Sequence, residues 1–492
     1  MLVKLRNLGK QTFVYGIGSV LNKLLGFILL PFYQNFVSIG NFGNLVYFET
    51  IILFLSAVLT FGIGPAHQRF FYSEKENKTY GIYLFNNFFG CFLLALVAIL
   101  PVLFFSQGAA GAICGDSNQS VYLQITMWIV LSEVLYIFPL QILQYEEKPL
   151  LYLLCNAMKL ILSFGLTIFF LVHLQLGYKG ILLARLIGGA TILLASVSFV
   201  VLPKCKFVLD IPSVIKSIRF GLPMVISNLG YTLFMVSDRF MLNWLSTNEE
   251  IGKYGFGLKI ANFINLIIIQ TIGMSYFPSV MSNESKENNI RYYGKMLTYY
   301  SFITAFTILG FLIFYKDILW IVGKNKDYWE GLKVVPILSL SFMIMGMNYF
   351  VGVGLFLKNQ TKYYLIPSFS AASVNIVMNY FLIPKYGMMG AAFSIISAQI
   401  IYTSLLAYFS AKQMKINFEW GKIFLIYLIS ISFFEIYQFL RIDNFWIKTI
   451  IGIAFLTAFP IVLYILNFFE AIEIQRLKEG LVKFFIRIKN IL

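Results

Sequence analysis

Charge is what this chain has least of. Only 12% of its 492 residues are Asp, Glu, Lys or Arg, against about a quarter in an ordinary soluble domain, and that excludes a soluble globular enzyme. Histidine is nearly missing, with two copies; neither His67 nor His173 has a second ligand at metal spacing, so both read as interface residues and no metal site is expected. The four cysteines, Cys91, Cys114, Cys155 and Cys205, show no paired spacing, which supports neither a disulfide framework nor a zinc cluster. No G-x-x-x-x-G-K-[ST] loop is present, which argues against transport driven directly by nucleotide on this chain. Nor is any polar stretch long enough for an extramembrane catalytic domain: the longest expected connection, 203–218, has 16 residues. The first apolar segment is too long for a signal h-region and has no small-x-small cleavage site, so it reads as an uncleaved span.

What is abundant is apolar mass. Hydrophobic residues make up 59% of the chain and aromatics 18%, with a mean hydropathy of +0.79, the composition of a polytopic membrane protein. A span needs about 20 apolar residues. Fourteen such runs fit, at 11–35, 43–66, 81–106, 121–144, 150–174, 180–202, 219–245, 255–280, 296–320, 333–357, 364–383, 389–411, 422–440 and 447–467. Segments crossing lipid must satisfy their own backbone groups, so the expected fold class is an all-α polytopic membrane protein.

The formal charge of +16 divides on this topology. Of the 38 Lys and Arg, 24 fall in segments that share a side with the amino terminus, nine on the other side and five inside spans. That asymmetry is the positive-inside pattern; it places both termini in the cytoplasm and gives no reason to expect nucleic acid. Segment 468–492 mixes Ile474, Leu477, Leu481, Phe484 and Phe485 with Arg476, Lys478, Lys483 and Arg487, and reads as a basic amphipathic helix on the inner leaflet.

The chain also repeats itself. Ile39-Gly40-Asn41-Phe42-Gly43 returns 212 residues later as Ile251-Gly252-Lys253-Tyr254-Gly255, and Gly177-Tyr178-Lys179-Gly180 answers Gly387-Met388-Met389-Gly390. Parallel repeats enclosing a central cavity are a recurring transporter design. The expected organisation is a six-helix bundle over 1–202, a cytoplasmic linker over 203–218, a second six-helix bundle over 219–411, two additional helices within 422–467 and the tail.

An ionisable side chain inside a span costs at least about 2.5 kcal/mol on insertion scales, so it normally faces a partner or a wet cavity. Nine are expected there: Lys23, Glu49, Glu133, Lys159, Arg185, Asp238, Arg239, Lys259 and Glu435. The cations Lys23, Lys159, Arg185, Arg239 and Lys259 would suit an anionic substrate such as a diphosphate, whose oxygens accept charge-assisted hydrogen bonds. Glu49, Glu133 and Asp238 are candidates either for coupling to an H+ or Na+ gradient or for pairing with those cations; the sequence leaves the choice open. Asp238 beside Arg239 fits a local pair as well as a substrate role.

Two stretches carry a family resemblance. Gly221-Leu222-Pro223 to Asp238-Arg239-Phe240-Met241-Leu242, followed by Ile251-Gly252-Lys253-Tyr254-Gly255, resembles the start of the second half of Wzx-type polysaccharide flippases. Lys358-Asn359-Gln360-Thr361-Lys362, Asn375, Asn379 and Ile383-Pro384-Lys385-Tyr386-Gly387-Met388-Met389-Gly390-Ala391-Ala392 is similar to the carboxy-terminal half of that family, within the multidrug/oligosaccharidyl-lipid/polysaccharide exporter superfamily. The resemblance implies two six-helix bundles around a central cavity and a transporter rather than an enzyme. It also implies alternating-access transfer of an undecaprenyl-diphosphate-linked oligosaccharide from inner to outer leaflet of a bacterial cytoplasmic membrane, for O-antigen, capsule or exopolysaccharide. The implied partners are that lipid-linked glycan, the bilayer, and the polymerase and glycosyltransferases of the same pathway; no cofactor is implied beyond an ion gradient. The alternatives are a multidrug or cation antiporter of the same fold, a lipid II flippase, and a membrane glycosyltransferase or polymerase.

Overall fold

The computed structural model describes residues 28–273, 289–322, 325–358, 360–440, 444–466 and 468–470, with Tyr276, Val280 and Gln475 besides. Every regular element among them is helical. Among the described residues, twelve helices are long and apolar enough to cross a membrane; a thirteenth is added if Ile211–Ile226 and Asn228–Leu245, bent by 45°, count as one span. These coincide with thirteen of the fourteen expected spans. The first, 11–35, is described only from residue 28 onward, and Lys23 lies outside the described residues. So does almost all of the expected amphipathic tail.

The principal helices are α1 (Leu30–Phe36), α2 (Ile39–Val58), α3 (Ile63–Glu76), α4 (Tyr80–Phe104), α5 (Ser120–Tyr145), α6 (Pro149–Ile168), α7 (Gly177–Ser196), α8 (Ile211–Leu245), α9 (Asn248–Ile264), α10 (Asn289–Val322), α11 (Val335–Val351), α12 (Leu365–Tyr386), α13 (Met388–Gln413), α14 (Trp420–Phe439) and α15 (Phe445–Ile465). Two expectations change here. The span read as unbroken over 43–66 stops at Val58, because Phe61 (φ 48°) and Gly62 (φ 75°) turn the chain through left-handed conformations, which glycine adopts freely. The segment read as loop after it is mostly α3. Likewise α8 begins at Ile211, within the stretch read as a linker, with Pro212 in its first turn, where a missing N–H costs nothing.

The helices group into two compact units, residues 1–279 with 322–414, and residues 280–321 with 415–492. In the first unit, the two copies of the repeated pentapeptide open equivalent helices and meet. Ser38 caps α2 by accepting from the Asn41 N–H at 3.4 Å, and Thr247 caps α9 by accepting from Glu250 at 3.3 Å, the usual N-cap arrangement. A Cβ on Gly43 would run into the Asn248 carbonyl and one on Gly252 into the Ile39 carbonyl; glycine lets the backbones approach this closely, as small residues do between membrane helices. At the other end of α2, Gly62 lies equally close to Gly221 of α8. There the start of α8 is fastened to α3 and α4: Lys216 to Glu74 at 2.9 Å, Ser217 to Tyr83 at 3.0 Å and Ser213 to Asn87 at 3.3 Å. Helices α5, α6 and α7 pack together, with Gly188 pressed on Ser163. α8, α12 and α13 form a further group in which buried Ser237 donates to Asn375 at 2.7 Å and Asn379 donates to the same oxygen at 2.7 Å.

The second unit is built by α10, α14 and α15. Lys448 bonds Asp317 at 2.5 and 2.7 Å, Tyr427 meets Ser301 at 3.1 Å, and Lys295 reaches Glu470 at 2.6 Å and Glu419 at 3.3 Å. Glu435 departs from expectation. It lies exposed on α14, on the outward stripe of Phe424, Leu428, Ile431 and Phe439, rather than turned toward a partner or a cavity.

Gly43→Val is expected to destabilise the protein by about 1–3 kcal/mol, the usual range for overpacking, read as a lower apparent unfolding temperature in detergent. Gly108→Val, where a Cβ meets open space, serves as the comparison; equal melting of the two variants would refute the close-contact account.

Candidate functional site

A cavity of about 520 Å³ lies in the first unit, lined from α2, α5, α6, α7, α8 and α9. Its polar wall is set by helical spacing. Lys159, Ser163 and Thr167 recur every four residues on α6 and line it together; Glu49 and Ser56 do so from α2, and Lys259 with Asn262 from α9. Such residues share one face of a helix. Glu133, Arg185 and Arg239 complete the charged set, and Tyr33 borders it.

The structure brings these side chains into specific contacts. Glu133 is shared: its Oε2 accepts from Lys159 Nζ at 2.9 Å and its Oε1 from Arg185 Nη2 at 3.5 Å. Lys159 also sits 4.5 Å from the centroid of the Tyr136 ring, a cation–π arrangement that adds to its hold. Glu49 on α2 binds Lys259 on α9 at 2.6 Å, joining two stretches 210 residues apart. Asp238 is fully buried and does not line the cavity. It takes the Arg239 Nε at 3.3 Å and the Tyr254 hydroxyl, so the local-pair reading describes its contacts. Arg239, anchored this way and by its own Nη2 on the Met235 carbonyl, turns an edge to the cavity.

Of the predicted residues, therefore, Glu49, Glu133, Lys159, Arg185, Arg239 and Lys259 border one space, with Asp238 behind it. Four cations face two carboxylates directly and a third at one remove, so the described wall carries an excess positive charge. Inside a low-dielectric span such a wall attracts anions far more strongly than the same charges would in water. Ser56, Ser163, Thr167 and Asn262, which offer neutral hydrogen-bonding groups, were missed by a search for ionisable residues alone; their four-residue spacing from Lys159 and their register with Glu49 and Lys259 was the available signal.

His67 corrects another expectation. It is no interface residue: fully buried, it bonds Gln141 through Nδ1 at 3.0 Å and Tyr80 through Nε2 at 3.1 Å, within rings of Phe71, Tyr83, Phe138 and Tyr145. Among the described residues no group of three or more His, Cys, Asp or Glu could hold a metal ion.

A helical membrane protein whose helices enclose a charged cavity is the class that fold and site define, and solved structures of that class share the fold. The chain superposes on a lipid II flippase, MurJ, in its inward closed conformation with a TM-score of 0.76 at 17% identity, covering 92% of this chain and 99% of that one. It also superposes on the inward-facing conformation of a multidrug resistance MATE family transporter of the MOP superfamily with a TM-score of 0.63 at 13% identity, covering 79% and 94%. In sequence it is 21% identical over 202 residues to a probable low-salt glycan biosynthesis flippase of Haloferax volcanii, 40% of this chain and 42% of that one. The chain spans about half the length of the curated relatives it matches. Residues 8–284 match the family described as polysaccharide biosynthesis protein. The chain belongs to that family, and its fold is shared with the flippase and MATE transporter structures above. The family match contains the first of the two resembling stretches, around 221–255, and ends before the second.

Proposed function

We propose that this protein is a flippase that moves an undecaprenyl-diphosphate-linked oligosaccharide, the repeat unit of an O-antigen, capsule or exopolysaccharide, from the inner to the outer leaflet of a bacterial cytoplasmic membrane. The observation that carries the proposal is the cationic excess of the cavity wall, with Lys159, Arg185, Arg239 and Lys259 around one space. A diphosphate is the part of such a lipid that this wall can hold, since phosphate oxygens take short charge-assisted bonds from Lys and Arg. Ser163, Thr167 and Asn262 offer hydrogen bonds to sugar hydroxyls beside it. The polyprenyl tail stays in lipid while the headgroup crosses.

The movement is alternating access between the halves 1–202 and 219–411, with both termini in the cytoplasm. The Glu49–Lys259 bridge and the Gly43–Gly252 crossing join residues of the two halves, so both must part when that end opens. The glycosyltransferases that build the glycan and the polymerase that extends it are the partners such an activity requires.

The test is a proteoliposome assay of a fluorescent polyprenyl-diphosphate oligosaccharide, read by its accessibility to a membrane-impermeant quencher. A rate at least tenfold above protein-free vesicles supports the reading. Equal rates with and without protein, together with uptake of a lipophilic cation, would replace it with a multidrug exporter of the same fold.

A further inference from the structure

We propose that Glu133 is a resident counter-anion: between turnovers its carboxylate occupies the cations that receive the substrate's diphosphate, and it exchanges places with that diphosphate as the headgroup enters and leaves. This rests on the flippase reading and adds to it a residue that sets affinity and release. The remaining carboxylates of the site each hold one cation, Glu49 with Lys259 and Asp238 with Arg239. Among the described carboxylates of the site, Glu133 alone is divided between two, one on each oxygen, which is how a phosphate group would bridge the same pair.

The three side chains are held unequally. Lys159 is pinned between Glu133 and the Tyr136 ring and is only 12% exposed, whereas Arg185 is 35% exposed and touches Glu133 through one contact at 3.5 Å. A guanidinium has five donors in a fixed fork, so Arg185 keeps donors for an arriving anion while Glu133 still holds Lys159. The first phosphate meets Arg185; the second takes Lys159 as the carboxylate swings aside. All three line the same cavity, so nothing else has to move for the exchange to begin.

The exchange has a physical purpose. An uncompensated pair of cations in a low-dielectric wall would bind a diphosphate too tightly to release it. A tethered carboxylate competes at high effective concentration, which lowers the affinity and favours release. A site that transports must bind well enough to load and weakly enough to unload.

Glu133→Gln, nearly the same shape without the charge, tests this in full-length protein in detergent and in proteoliposomes. The binding probe is farnesyl-diphospho-N-acetylglucosamine, a diphosphate diester. E133Q is expected to bind it at least tenfold more tightly than wild type, while its flipping rate at saturation falls at least fivefold. Lys159→Met is expected to lose binding, which separates competition from positioning. Should E133Q fail to give a monodisperse protein, Glu133→Ser removes the same charge and carries the same expectation. Equal or weaker binding by the charge-free variant would overturn the proposal and leave Glu133 as a residue that merely orients the two cations. If wild type itself does not bind the probe, the flippase reading falls and this inference falls with it; if wild type binds and the variant's affinity does not rise, only the inference falls.

Discussion

The triple variant Glu133→Gln, Lys159→Gln, Arg185→Gln is expected to lower the flipping rate of a polyprenyl-diphosphate glycan by about a hundredfold or more while leaving the protein folded. Each charge-assisted hydrogen bond to a phosphate contributes about 1.5–3 kcal/mol. Losing two such bonds removes about 3–6 kcal/mol, or a factor of roughly 10²–10⁴ at 1.36 kcal/mol per tenfold. All three charges are removed together for a reason. Deleting the cations alone would strand Glu133, only 24% exposed, and a stranded charge is destabilising in itself, whereas replacing a whole charged set is often neutral. A flipping rate within threefold of wild type, with unchanged melting, would show that this wall does not carry the headgroup.

The largest effect on stability is expected at Asp238. It is fully buried, and it accepts from the Arg239 backbone N–H at 2.9 Å, from the Arg239 guanidinium and from the Tyr254 hydroxyl. Asp238→Ala leaves a guanidinium and a buried hydroxyl without their acceptor, a loss of about 3–5 kcal/mol for a broken buried pair. The apparent unfolding temperature and the yield of folded protein should both fall. Adding Arg239→Met should restore part of the loss, because the stranded cation is then gone; the difference between the single and double variants measures the coupling. If Asp238→Ala melts with wild type, Asp238 belongs to the transport machinery rather than to the framework.

Sequence alone made the helical class and thirteen of the spans legible, because a 20-residue apolar run has few other uses. It missed the break at Phe61 and Gly62, since a left-handed pair inside an apolar run leaves hydropathy unchanged. Among the residues around the cavity, Glu49, Glu133, Lys159, Arg185, Arg239 and Lys259 stood out in the sequence because they are ionisable and lie inside apolar spans. Pairing was not readable: Glu133 meets cations 26 and 52 residues away and Glu49 meets one 210 residues away, distances that only the packing of helices closes. Glu435 shares that position inside a span, yet it lies exposed on its stripe of α14. His67 was misplaced for the same reason, as nothing local says that Gln141 and Tyr80 will converge on it.

The two glycine contacts of α2, Gly43 with the start of α9 and Gly62 with Gly221, have a thermodynamic consequence. At both points backbone lies against backbone, while farther along the α2–α9 seam Val46 against Gly255 and the Glu49–Lys259 bridge disengage as side chains. The backbone contacts themselves carry no side-chain area, so they add little to the free-energy gap between conformers, which alternating access keeps within a few kcal/mol. A gap of that size leaves a minor conformer populated at the per cent level. A headgroup that binds one conformer about a hundredfold more tightly, some 2.7 kcal/mol, is then sufficient to redistribute the ensemble. Glycine at these positions therefore makes α2 an element whose equilibrium a single bound ligand can reset.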